Sequence, residues 1–248
     1  NYTSMIFLGN ALASVIGFII LFGLRETKPI CLENSEIDSS QTISKSSETY
    51  VKIDNSAIKF ILKEKIFFIF ILSTIFFSFA YSQAGFTLPL FLSKIYKENG
   101  ARIYGTLQST NAITVILLTP VVSYLTNKKS PILMVATAGI FYAFGFGFYS
   151  IFKIFPLLIL TTIVWSTGEI LQVTHQNVFI ANRSPINIRG QLNGVFQILS
   201  GIGFLLGPLF SGFFQENFDI NYIWIIVFFI CLVGNILLVS NFKKIDKK

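Results

Sequence analysis

Residues 154–185 read IFPLLILTTIVWSTGEILQVTHQNVFIANRSP, and this stretch decides the fold. Its apolar part, 155–181, is long enough to cross a bilayer as a helix, for which about 20 residues suffice. Glu169 lies near its middle and is the only carboxylate inside any apolar span of the chain. A charge at that depth costs ~2.5–3.5 kcal/mol on insertion scales, so such residues usually face a watery path or a binding site. At about 100° per residue, the face of Glu169 carries Thr162, Trp165, Ser166, Gln172 and Gln176, with Val173 among them. The opposite face carries Leu160, Ile163, Val164, Leu171 and Val178. One polar stripe and one greasy stripe predict a membrane helix turned toward a cavity, with a solute bound or passed there.

Working outward, six more spans follow the same rule, at 5–24, 66–92, 105–125, 132–152, 190–214 and 222–240. The composition agrees: 53% hydrophobic, 12% charged, mean hydropathy +0.68 and 28 Phe. Soluble chains carry about 25% charged residues, so a polytopic, all-α membrane bundle of about seven helices is predicted. One connection is long. Residues 25–65 are rich in Ser and in both charge signs, and their middle, NSEIDSSQTISKSSET, is expected to be disordered. The chain thus divides into a helix at 1–24, a loop at 25–65, a six-helix block at 66–241 and a basic tail at 242–248.

The net charge of +7 belongs to the loops, so it sets membrane orientation and is no nucleic-acid footprint. Arg25, Lys28, Lys45, Lys52, Lys59, Lys63 and Lys65 share a side with Lys128, Lys129, Arg183, Arg189, Lys243, Lys244, Lys247 and Lys248. The other side has Lys94, Lys97, Arg102 and Lys153. The richer side is cytoplasmic by the positive-inside rule. That places Asn1 outside, the long loop and the C-terminus inside, and the protein in a cell membrane. An outside start before a cytoplasmic loop and six helices is the layout expected of a twelve-helix protein cut in its sixth helix.

The residues from Tyr96 to Phe214 carry a family likeness. The run YGTLQSTNAITVILLTPVVSYLTNKK (104–129) resembles the eighth helix of the major facilitator superfamily and the loop after it. TGEILQVTHQNVFIANRSP (167–185) and RGQLNGVFQILSGIGFLLGPLFSGFF (189–214) resemble the tenth and eleventh helices of its drug/proton antiporter-type members. The family's loop signature, Gly-x-x-x-Asp-Arg-x-Gly-Arg-Arg, is degraded here. Pro120 takes the glycine place, Tyr124 the aspartate place, and Lys128 and Lys129 keep the basic character. The resemblance implies the sixth helix and C-terminal half of an alternating-access carrier, not an enzyme. Its partners would be a small-molecule substrate, protons as coupling ion, the bilayer and an N-terminal half.

Under that resemblance, 66–92 and 155–181 line the central cavity. Gln83, Phe86, Trp165, Glu169, Gln172 and Gln176 are the candidate substrate-binding residues, and Glu169 is the candidate proton-coupling residue. Measured from Gln83, one face of 66–92 carries Phe76, Phe79, Phe86 and Thr87, which suits a bulky, partly apolar solute or plain lipid contact alike. Pro89 is placed to kink that helix. Glu169 can carry a proton, bind a cation, or make a structural hydrogen bond. Trp165 can stack on a cationic ligand or simply pack. His175 lies about 240° round from Glu169, so a helix contact is expected of it. It is the only histidine, and no metal or other cofactor is expected. Gly190-x-x-x-Gly194 and Gly203-x-x-x-Gly207 predict close helix contacts, and Asn111 is expected to reach an absent half. Cys31 and Cys231 are too differently placed to pair.

The rival reading is a seven-helix receptor or sensor. The lack of a lysine in the last span for a retinal Schiff base, and the one-plus-six layout, count against it. A membrane enzyme fits less well, since no Asp, His or Cys cluster sits at a membrane face.

Overall fold

A computed structural model describes residues 14–19 and 56–245. Residues 14–19 are helical and belong to a separate unit, 1–51. The rest of the first predicted span, the Ser-rich middle of the loop and Cys31 lie outside the described residues.

The larger unit is all helix among its described residues. Its elements are α1 (Ser56–Lys63), α2 (Lys65–Gly85), α3 (Thr87–Tyr96), α4 (Gly100–Thr126), α5 (Pro131–Gly147), α6 (Phe155–Arg183), α7 (Arg189–Asn217) and α8 (Asn221–Ile245). The predicted spans fall on these helices within a few residues, except that residues 56–63, counted in the loop from sequence, form α1. Five stretches are long and apolar enough to cross a membrane. The first, Lys65–Thr126, is 62 residues long and holds two crossings, α2 with α3, and α4. The protein is therefore a multi-pass integral membrane protein.

The break between α2 and α3 has a local cause. Pro89 has no N–H to give the carbonyl of Gly85, four residues earlier. The helix ends at Gly85 and restarts at Thr87.

Packing follows the small residues and the rings. α2 lies against α7 and α8, α5 against α6 and α8, and α4 against α6 and α3. A Cβ on Gly203 would strike the carbonyl of Ile75, and one on Gly207 would strike Ser82 Oγ. Only glycine lets α7 approach α2 so closely. Apart from the helix's own adjacent backbone, no heavy atom lies within 4 Å of the place a Cβ would take on Gly190 or Gly194, so that pair makes no such contact among the described residues. An aromatic core joins α3, α5, α6 and α8. Phe146 stacks on Trp165 at 5.2 Å, and Phe91 meets Trp224 edge-on at 5.4 Å.

One rim of the bundle is tied across its loops. Lys94 at the end of α3 donates to Asp219 before α8 at 2.8 Å. The Tyr96 hydroxyl donates to the carbonyl of Lys153 before α6. The ties join the α3–α4, α5–α6 and α7–α8 connections on one side, which is the alternation that the loop charges require.

Candidate functional site: a carboxylate held by three helices

Glu169 sits half-buried on α6 with both oxygens engaged. Tyr81 of α2 donates its hydroxyl to Oε1 at 2.9 Å. Asn111 of α4 donates to Oε2 at 2.8 Å and to Ser166 Oγ at 2.9 Å. The Ser166 hydroxyl itself donates to the Thr162 carbonyl at 2.7 Å. Its proton is thereby used, so Ser166 can only accept from Asn111. Both donors to Glu169 are neutral. Lys94–Asp219 is the only ion pair found among the described residues, so no basic side chain balances this charge.

The carboxylate opens on a cleft of about 190 Å³ lined by Ser78, Tyr81, Tyr142, Gln172, Val173 and Phe204. The wall is aromatic from α2, α5 and α7, and polar from α6. Such a cleft offers one negative charge, ring faces that favour cations, and the amide of Gln172.

The residues anticipated from sequence separate into two groups. Glu169 and Gln172 share the cleft, and Gln172 Nε2 reaches Gln176 Oε1 at 3.4 Å. Gln176 stands next to the cleft on the same helix and does not line it. Trp165 is 1% exposed and sits behind the cleft. Its indole N–H donates to Tyr149 at 3.2 Å, and its edge meets Tyr81 at 6.1 Å. Gln83 is fully buried elsewhere, between α2 and α7. It accepts from Ser211 at 2.6 Å and from Thr87, and Phe86 is half-buried at the helix break beside it. Phe79 packs edge-on against Phe210 at 5.7 Å, so the phenylalanine stripe is packing at that point.

Sequence reading missed Tyr81 and the role of Asn111. Gln83 lies two residues, about 200°, beyond Tyr81, so anchoring the helix on Gln83 selected its far side. Asn111, expected to reach out of this bundle, turns inward to α6. The available signal was Tyr81 itself, with Ser78 one turn before and Gly85 one turn after on a common face. His175 behaves as anticipated, contacting Thr126 Oγ1 at 2.7 Å at the far end of α4.

The fold is a polytopic helical bundle with a carboxylate inside it. The sequence profile of the Major Facilitator Superfamily matches residues 2–204, and the chain belongs to that superfamily, whose members are transporters and not enzymes. It is 21% identical over 161 residues to a protein of Bacillus subtilis (strain 168) named "Uncharacterized MFS-type transporter YqjV". The alignment takes in 63% of this chain and 39% of that protein, so the chain spans about two fifths of the relative's length.

Proposed function

We propose that the chain forms part of a carrier that moves a small organic cation across the cell membrane by alternating access. Protons exchange with the cation at Glu169, and export of amphipathic, drug-like compounds is the task. The carrying observation is a carboxylate without a basic partner, opening on an aromatic-lined cleft inside the bundle. A carboxylate in a membrane interior is favoured by a counter-charge or a proton, and this cleft leaves room for either to arrive and depart. A proton and an organic cation compete for the same two oxygens, which yields exchange. Gln172 supplies orientation, and Tyr81, Tyr142 and Phe204 supply ring surface. Loop 25–65 and the C-terminus face the cytoplasm in this reading.

A second part of the carrier completes the path. The uncovered apolar stripe of α7 (Ile198, Ile202, Leu205, Leu209) and that of α4 (Ile113, Ile116, Leu117) flank the cleft and suit an N-terminal half.

The test uses the intact gene product in proteoliposomes, with a pH gradient and the fluorescent cation ethidium, comparing Glu169 with Glu169→Gln. Removing one partner of a desolvated charge pair costs about 2–5 kcal/mol, so transport should fall by more than about tenfold. Unchanged transport by the folded mutant would refute the assignment of Glu169. No ethidium or other cation transport by either form would refute the cation-carrier reading.

A further inference from the structure

We propose that Asn111 is a positioning residue that ties the charge of Glu169 to the seating of α4, so that filling the site loosens this helix. The inference rests on the reading of Glu169 as the proton and cation site.

Among the crossing helices around Glu169, α4 is the least embedded. Only Gly100, Leu107 and Thr114 of its 27 residues are buried, whereas α6 buries side chains along its whole length. Two polar clasps fasten α4 to α6. One is Asn111 on Glu169 and Ser166, and the other is Thr126 on His175. They stand 15 residues apart, about 22 Å along the helix. Between them Thr114 is the single buried side chain of α4.

The first clasp depends on charge because of how its hydrogens are assigned. Ser166 can only accept, so the Asn111 amide nitrogen faces α6 and gives its two hydrogens to Ser166 and Glu169. An amide nitrogen cannot accept in return. Tyr81 on the other oxygen can, because a phenolic hydroxyl both donates and accepts. A proton arriving at Glu169 therefore settles on Oε1, where Tyr81 reverses its role and the α2 side stays bonded. On the α4 side, a charge-assisted bond becomes a neutral one, about half as strong. A cation drawn to Oε2 competes for the same lone pairs. Either event weakens the link from α4 and leaves the link from α2 intact.

The groups facing Glu169 make this attribution clean. Tyr81 comes from α2, Asn111 from α4, Tyr142 from α5 and Phe204 from α7, and Tyr104 of α4 stands near Tyr81. None carries a charge near neutral pH. His175, on α6 itself, is a further titratable side chain that touches α4.

Hydrogen–deuterium exchange of the intact gene product in nanodiscs tests the proposal without any transport. In Glu169→Gln and in Asn111→Leu, amides of α4 should exchange about three- to tenfold faster, with α5 unchanged. The double variant should exchange no faster than Asn111→Leu, since both changes open one clasp. Unchanged α4 exchange in the single variants, or additive effects in the double, would overturn the proposal. Should a variant fail to fold, the unaltered protein still decides the matter. On acidification its α4 exchange should rise relative to α5, a response that His175→Gln retains. A flat ratio, or a response lost in His175→Gln, would sink the idea. Ethidium transport can fail while the exchange result stands, and the reverse, so the two readings fall separately.

Discussion

Two buried amides, Gln83 and Gln172, stand in different surroundings, and mutation should separate their roles. Gln83 ties α2 to α7 through Ser211 and Thr87. Gln83→Leu strands those hydroxyls, and a buried unsatisfied group costs about 1–3 kcal/mol. Thermal unfolding of the purified intact protein should show that loss, while the ethidium KM stays unchanged. Gln172, on the cleft, should behave in the opposite way. Gln172→Leu should raise KM several-fold at the cost of about one hydrogen bond and leave stability within about 1 kcal/mol. A shifted KM in Gln83→Leu would return that residue to the solute path. Glu169 was legible from sequence because a lone carboxylate in a greasy helix is costly wherever it points. Its partners were not. Tyr81 and Asn111 are 88 and 58 residues away in the chain, and no periodicity within one helix says which neighbour it faces.

Elements were legible in their lengths, because about 20 apolar residues and a polar loop mark a crossing whatever the packing. The break between α2 and α3 was foreshadowed by Pro89, whose effect falls one turn earlier, at the carbonyl it cannot satisfy. α1 was not anticipated, because eight residues of mixed polarity next to a Ser-rich loop give too short a pattern. The two glycine pairs on α7 read alike in sequence and differ in space. Gly203→Ala forces a Cβ against the Ile75 carbonyl, and overpacking of this kind costs about 1–3 kcal/mol. Gly190→Ala meets nothing within 4 Å and should be neutral, or stabilising by about 0.5–1 kcal/mol through helix propensity. Paired melting curves check both. Equal destabilisation by the two changes would contradict the close approach of α7 to α2.

For the whole molecule, the loop charges make a testable map. In a background lacking Cys31 and Cys231, a cysteine at Glu98 should react with an impermeant maleimide from outside intact cells. A cysteine at Lys128 should react only after permeabilisation. The reverse pattern would invert the orientation. Residues 1–248 alone should give no ethidium transport in vesicles, since the apolar stripes of α4 and α7 would lack the half proposed to cover them. The tied rim should tolerate acid. Lys94, by its hydrogen bond, and then the backbone N–H of Asn221 hold the Asp219 carboxyl below the usual carboxylate range. A folded value below the unfolded one, about 3.9, gives stability that is present above that pH and lost as pH falls through the folded value. The tie therefore holds at pH 5 and pH 7 alike. The pair is exposed, so Asp219→Asn should change stability at pH 7 by less than about 1 kcal/mol.

That rim also sets a mechanical ratio. Three connections pinned together act as a fulcrum, and each long helix leaving them is a lever arm. α4, with 27 residues, is about 40 Å long. Turning by about 10° around the pinned end, it would sweep its far end through about 7 Å. At Asn111, less than halfway along, the same turn displaces the helix by only about 3 Å. A small change at the carboxylate would thus be geared into a larger opening at the opposite membrane face.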